Sequence, residues 1–444
     1  MNFDITINDR TLLTSGLATI AVREPDVGLN EVLDLNFDAL YDAFDDVPPL
    51  SLDLLLIAGI VYLLDKSVPR RRSYDFWTRT LTVEFPVSDP SRWEAVRERL
   101  QTCLGFLTGD DWTVGFKPRG ERLFAPRRQR RRGARIQSVS AVCLFSGGLD
   151  SLAGVVHQLA QSRDRLLLVG HHDATGPASD QQRLHHALSS LDRYTDQTDL
   201  VTVRMRPLPP GFARDGQRVT PLGREHTLRS RSFVFLALGL YAARAIGEDT
   251  PLLVPENGLI AINMPLTPSR IGTCSTRTTH PFFLRMFREV AAGIGLHTPL
   301  SNPFDLKTKG EILAESPDRD TILRLGLDSV SCAHPSRRAI WARRSARNCG
   351  YCVPCLVRRA AFHAIGQDNG AQYGIDVLRG EIDVQAPVAA DVRAMLDCLD
   401  QVQTQKEIED RVRMTGPLSN KKMADYVQMI TRGLRELRAL LIEK

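Results

Sequence analysis

The sequence predicts an α/β protein built around a parallel sheet covered by helices. Three observations carry this. From Val139 onward, short apolar runs alternate with helical stretches, the pattern of strand–helix–strand units. A Ser-Gly-Gly-Leu-Asp-Ser turn closes the first of these runs, at residues 146–151. Beyond Gly366 apolar residues recur at helical spacing, which adds a helical C-terminal extension, residues 366–444.

The elements follow in order. Residues 1–116 read as an N-terminal α/β accessory domain. Asp26 to Asp53 is acidic. Leu52 to Leu64 has the composition of a buried helix, and it is too short for a bilayer, which takes ~20 residues. Thr78 to Val87 alternates polar and apolar residues, as a half-buried strand does. Ser91 to Leu107 predicts a helix capped by Asp89 or Ser91, and Trp112 to Phe116 a further strand. No catalytic constellation stands here, so a scaffolding or partner-binding role is expected.

The whole chain of 444 residues carries 57 Lys and Arg against 52 Asp and Glu. The excess is local. Lys117 to Arg135 holds nine basic residues and one Glu, so the remainder of the chain is slightly acidic. This is not a uniformly basic nucleic-acid coat. Residues 117–138 read as an Arg-rich linker. The other reading is an anion or nucleic-acid contact, because guanidinium pairs well with phosphate.

Val139 to Phe145, Arg165 to Asp173, Leu200 to Met205 and Pro251 to Pro255 predict strands. Ser151 to Ala160, Asp180 to Leu191 and Leu228 to Ile246 predict the helices between them. Glu256, Asn257 and Gly258 follow a strand end and form either a pocket wall or a turn. In the C-terminal extension, Asp391 to Leu399 and Lys421 to Ile442 predict helices. The second has a stripe of Val427, Ile430, Leu434, Leu437, Leu440 and Leu441, a packing or dimer face.

The 146–151 turn carries the chemistry. Gly147 and Gly148 permit a tight turn and close backbone approach. The helix that begins beside them points N–H groups and a positive dipole end at the loop, which favours an anion. Ser146 and Ser151 add hydroxyls. Asp150 either caps the turn or holds Mg²⁺. No Gly-Lys-Ser/Thr occurs, so the other common phosphate loop is absent.

The eight cysteines are too few for a secreted disulfide scaffold. Cys349, Cys352 and Cys355 form a C-x₂-C-x₂-C run, and Cys332 lies upstream. Four thiolates predict a closed structural zinc site. The ferredoxin run would place a cysteine where Arg359 stands. Clustered thiols and an N-terminus without an apolar leader point to a cytoplasmic protein with no membrane segment.

The glycine turn and the cysteine knuckle together resemble the 7-cyano-7-deazaguanine synthase (QueC) family of ATP pyrophosphatases. Cys355-Leu-Val-Arg358-Arg359-Ala-Ala-Phe362, Leu306-Lys-Thr-Lys309-Gly-Glu-Ile312 and Ser230-Arg231-Ser-Phe233 add to the resemblance, which covers residues 139–365. It implies a Rossmann-like, adenine nucleotide alpha hydrolase-like PP-loop domain with a zinc knuckle at 331–362. It implies ATP with Mg²⁺, and adenylation of 7-carboxy-7-deazaguanine or a related acid. By position, Ser146, Gly147, Gly148, Leu149, Asp150, Ser151 and Arg231 would bind the nucleotide. Asp150, Ser151 and Lys309 would be catalytic, although Lys309 also reads as an ordinary helix lysine. Cys332, Cys349, Cys352 and Cys355 would hold Zn²⁺.

The chain departs from the family in its two terminal segments, in the longer first cysteine spacing, and at Ser275 to Phe283. There Arg277 and His280 stand where the synthases carry a Tyr-Pro-Asp-Cys-Arg-like stretch. Large QueC-like proteins with such extensions occur in bacterial anti-phage operons, including the Qat system. That resemblance implies transfer of the acyl group to an amine on a partner protein from the same operon. The alternatives are a nitrile-forming synthase using ammonia and a non-catalytic nucleotide-binding scaffold. Direct nucleic-acid contact ranks below all three.

Overall fold

The computed structural model describes residues 1–8, 17–26, 29–36, 38–44, 48–119, 136, 139–173, 175–208, 225, 227–268 and 277–443. Most of the Arg-rich segment, Cys274 and the Ser275–Thr276 pair lie outside the described residues. The protein is mixed α/β, with one ten-stranded sheet. Its strands are β1 (Asn2–Asn8), β2 (Leu17–Glu24), β3 (Leu29–Asn36), β4 (Thr80–Val87) and β5 (Asp111–Pro118). They continue with β6 (Val139–Leu144), β7 (Arg165–His172), β8 (Thr198–Pro207), β9 (Leu252–Leu253) and β10 (Leu300–Ser301). The order is β10-β9-β6-β7-β8-β3-β2-β1-β4-β5. Six of the nine pairings are parallel; only β1–β2, β2–β3 and β3–β8 are antiparallel.

The central strands read as continuous apolar runs because both faces are covered. Val142 and Leu144 of β6, with Leu167 and Val169 of β7, share a core with the Arg231–Ile246 helix. Ala141 and Cys143, with Leu166 and Leu168, face the Leu149–Gln161 helix instead. Side chains alternate across a strand, so one apolar run feeds two cores. A third core joins Met264, the cysteine knuckle and the helices Ala390–Gln401, Gln405–Arg413 and Asn420–Leu441.

The two halves are not separate sheets. β3 pairs with β8, Leu33 opposite Pro207 and Asn36 opposite Arg204. The Pro49–Ser67 helix belongs to the same core as the Arg231–Ile246 helix. Gly59 allows its close approach, since a Cβ there would stand 3.0 Å from Leu33 Cδ2. The β1–β3 meander is an element the acid-rich composition concealed. Its alternation is present, with Leu33 and Leu35 inward, but acidic residues share the strand. The predicted 91–107 helix is two pieces, Pro90–Glu94 and Arg97–Thr108, broken where Val96 leaves helical geometry at φ −114° and ψ 8°. Asp89 caps the first piece by accepting from Arg92 N–H. Lys117 and Pro118 finish β5 rather than opening a linker, and Arg119 pairs with buried Asp53 at 3.1 Å. Among the described residues no helix is long and apolar enough to cross a membrane.

A buried ion network ties these parts together. Arg79 is fully enclosed and reaches Asp65 at 2.9 Å and Asp110 at 2.5 Å. Arg70 adds a 2.9 Å pair to Asp110. Every charge here has a partner, which is the condition for burying it. Replacing Arg79 with Met leaves two enclosed carboxylates to share the single guanidinium of Arg70. The expected loss is about 3–5 kcal/mol of unfolding free energy, read by urea denaturation; a loss below about 1 kcal/mol would show the network is not a structural keystone.

Candidate functional site

The sheet order creates a crevice. From β6 the chain proceeds to β7 and β8 on one side, then returns to β9 and β10 on the other. Ligands bind at the carboxyl ends of the strands where such an order reverses. The Ser146–Gly148 turn sits at that point, directly after β6. Gly147 has φ +80°, the left-handed region that favours glycine. A Cβ there would stand 3.4 Å from Gln181 Cγ.

Gly148 is the N-cap of the Leu149–Gln161 helix and has no side chain to cap it. The cap comes from far along the chain. Ser331 Oγ accepts from Leu149 N–H at 3.1 Å, across 182 residues. Val330 N–H donates to Gly147 carbonyl at 2.9 Å. Ser146 Oγ accepts from Gly148 N–H at 3.3 Å, and Ser151 Oγ donates to the Gly148 carbonyl at 3.0 Å. The turn is therefore preformed by hydroxyl oxygens.

Asp150 is turned into the protein. Lys309 Nζ lies 3.0 and 3.1 Å from its two oxygens, and Asn257 Nδ2 donates at 2.7 Å. Burial opposes ionisation, but Lys309 and the hydrogen bonds to its oxygens outweigh it and hold Asp150 below the usual carboxylate range. Glu256 abuts the same carboxylate. Burial, and then the Asp150 charge, raise its pKa well above the ordinary value. Asn257 does double duty, since its side chain also caps the Gly258–Ile262 helix. Thus 256–258 is a turn that serves Asp150. Lys309 opens a helix through a Thr308–Glu311 capping box and spends its charge on Asp150.

A cavity of about 730 Å³ opens beside the turn. That lies within the usual range for small-ligand sites, ~300–1,000 Å³. Ser146, Asp180, Arg231, Asn263, Ser331, Arg338 and Asp391 supply its polar lining; Leu259, Met264, Met395 and Leu434 are among its apolar walls. Of the residues singled out from sequence, Ser146, Arg231 and Cys332 line it; Asp150, Ser151 and Lys309 do not. The C-terminal stripe is part of the wall, through Ile430, Leu434 and Leu437.

Arg231 donates to His171 carbonyl at 3.3 Å, at the end of β7. Its helix is held by the N-terminal half. Asp65 Oδ2 accepts from Ser230 Oγ at 2.7 Å and Ser230 N–H at 3.3 Å. Tyr62 OH donates to Asp173 at 2.9 Å. Sequence reasoning missed both contacts; the only local signal was polar residues within an otherwise apolar helix.

Arg277 and His280 have structural work. Arg277 donates to Phe106 carbonyl at 2.6 Å and stacks on its ring at 4.3 Å. His280 caps the Pro281–Gly293 helix and meets Thr415 Oγ1 at 3.0 Å. Burial, and then Arg277, push its pKa down to about 3.

The sulfurs of Cys332, Cys349, Cys352 and Cys355 all lie within 4.8 Å of one another. This cluster could hold a metal ion such as zinc. Cys349 and Cys355 Sγ stand 3.7 Å apart, close to the ~3.8 Å edge of a tetrahedron with Zn–S bonds of ~2.3 Å. Backbone N–H groups of Cys349 and His334 point at Cys332 Sγ, at 3.4 and 3.3 Å, as suits a thiolate. Gly350 has φ +89°, and a Cβ there would strike Ile375 carbonyl at 2.2 Å. Ser331 precedes Cys332, so the metal centre and the glycine turn share one peptide.

No protein-family model, curated protein or solved structure matches the chain.

Two outcomes follow. Ser331→Ala removes the distant cap and should lower stability by about 1 kcal/mol. Metal content should stay unchanged, by elemental analysis of the purified variant. For the acid pair, a raised folded-state pKa means the native state binds more protons than the unfolded chain above the ordinary glutamate pKa. Stability then falls as pH rises toward the raised value. Glu256→Gln keeps a hydrogen-bonding group and removes this dependence. Urea titrations from about pH 5 to about pH 8 should show a shallower slope in the variant than in the parent; identical slopes would refute the assignment.

Proposed function

We propose that the chain is a QueC-like, ATP-dependent acyl-adenylating enzyme with a Rossmann-like PP-loop centre of the adenine nucleotide alpha hydrolase type. The observation that carries this reading is the preformed Ser146–Gly148 turn at the reversal of the sheet, opening on a cavity that Arg231 lines. The turn offers the Ser146 hydroxyl and a helix dipole to a pyrophosphate, its Gly148 and Leu149 N–H groups being engaged by Ser146 and Ser331. Ser151 and the buried Asp150–Lys309–Asn257 set hold the turn in shape. Arg231 supplies a planar donor fork for a carboxylate or phosphate.

In this reaction a carboxylate oxygen of the acid attacks the α-phosphorus of ATP. The α–β bridging bond breaks and pyrophosphate leaves. An amine then attacks the acyl carbon, loses a proton, and AMP departs with the bonding pair. The acid is 7-carboxy-7-deazaguanine or a relative, and the acceptor amine lies on a partner protein, in an anti-phage role. Support comes from the terminal segments, which help to build the site instead of hanging free. Asp150 is neutralised by Lys309 and offers no free carboxylate, so Mg²⁺ enters only as the companion of ATP. Zinc held by the four cysteines would fix the Ser331 peptide and take no part in the chemistry.

Incubating the purified chain with ATP, the acid and proteins of the same operon should yield AMP and a mass increase on one of them. Asp150→Asn should lower AMP formation about 100-fold or more, assayed below the variant's melting transition, which should itself fall because enclosed Lys309 loses its partner. Nitrile from ammonia alone would make it a biosynthetic synthase. No AMP with any acid would leave a nucleotide-binding scaffold.

A further inference from the structure

The segment between the first two metal-site cysteines is unusually long and unusually basic. Residues 333–348 contain five arginines and no Asp or Glu. Cys332 pins one end and Cys349 the other. The middle is pinned too. Trp341 is buried over Gly374, where a Cβ would stand 2.4 Å from the indole. Arg343 N–H donates to Gly374 carbonyl at 3.0 Å. The segment is thus a fixed arm.

Two of its arginines are consumed within the fold. Arg343 makes a four-bond fork with Glu381, and Arg347 reaches Asp180 at 3.3 Å and Asp328 at 3.6 Å. Arg337, Arg338 and Arg344 are exposed. Among the described residues none of the three makes an ion pair within 4.0 Å. Arg338 stacks loosely on Trp341 and also lines the cavity beside the glycine turn. Between them Ile340 is 53% exposed. The arm therefore presents unpaired guanidinium groups and one aliphatic side chain on the surface, and reaches the cavity through Arg338.

We infer that this arm docks an acidic, partly apolar peptide segment of a partner protein. Charge complementarity calls for carboxylates or phosphates. The remaining chemistry selects between them. Single-stranded nucleic acid is held by aromatic stacking, but Trp341 and Tyr351 are both buried and the ring of His334 is stacked on Tyr351. An exposed isoleucine between the arginines gives nothing to a phosphate backbone and suits an aliphatic side chain. Bidentate Arg–carboxylate forks supply orientation as well as affinity. A peptide so held would have its end directed along Arg338 toward Ser146. The inference deepens the partner-protein reading above and names where the acceptor binds.

The test reads binding alone, without ATP or acid, so its failure is separable from failure of the adenylation chemistry. Fluorescence anisotropy would compare the full chain with a labelled peptide alternating Glu and Leu, its Gln–Leu counterpart, and a labelled oligouridine. The chain should bind the Glu–Leu peptide and release it at least about tenfold more readily when Arg337→Glu, Arg338→Glu and Arg344→Glu are combined. Raising salt from about 50 to about 200 mM should weaken it similarly. Ile340→Ser should weaken it without altering the salt dependence. Unchanged metal content and melting temperature in the variants would show that the arm is intact. Equal binding by the triple variant, equal binding of the Gln–Leu peptide, or tighter binding of oligouridine through the same arginines would overturn the inference.

Discussion

Everything at the centre depends on a turn that cannot hold itself. Gly147 and Gly148 give the chain its reversal after β6, but they bring no side chains with which to fix it. Beyond the hydroxyls of Ser146 and Ser151, the restraint comes from segments that follow other strands. Gln181 packs on Gly147, Ser331 caps the Leu149–Gln161 helix, and Asn257 and Lys309 hold Asp150. Gln181 follows β7, Asn257 follows β9, and Lys309 and Ser331 follow β10, so the loop takes its shape only when the sheet has assembled in its native order. An enclosed Asp150 without Lys309 would be an uncompensated charge, which is why the pair is obligatory though it adds little net stability.

The terminal segments follow from the same logic. The Pro49–Ser67 helix is almost wholly buried, and the polar atoms it carries inward must be satisfied. Asp65 and Tyr62 find their partners in Ser230 and Asp173, on either side of Arg231. The C-terminal helices bury their stripe against the knuckle and the Gly258–Ile262 turn, and the same residues wall the cavity. Trimming either end would expose apolar surface and also reshape the site.

The cysteine cluster combines two roles that would conflict in a looser structure. It anchors Ser331 against the glycine turn, which demands a rigid peptide. It also closes a long basic segment that reaches the surface. Trp341 resolves the conflict by plugging the middle of that segment into the fold. Rigidity at the turn and exposure at Arg337 and Arg338 then coexist a few residues apart.

Much of the architecture was legible from local pattern. The alternating strands β6 to β8, the Leu149–Gln161 and Asn420–Leu441 helices, the glycine turn and the four metal-site cysteines all show in spacing alone. Those features are set by backbone conformation, side-chain period and ligand chemistry, which act within a few residues. Even there limits appear: the break at Val96 interrupts a smooth helical pattern, and acidic residues mask the alternation of β1 to β3. Partner choice is different. Nothing near Leu149 says that Ser331 will cap it, nothing near Ser230 points to Asp65, and Lys309 carries no mark of Asp150. The sequence by itself determined which segments become strands and helices and which cysteines could hold a metal. Tertiary structure alone decided that ten strands form one sheet and which of many Ser, Asp and Lys side chains meet at the site, because those contacts depend on long-range chain closure and on the need to pair every buried charge.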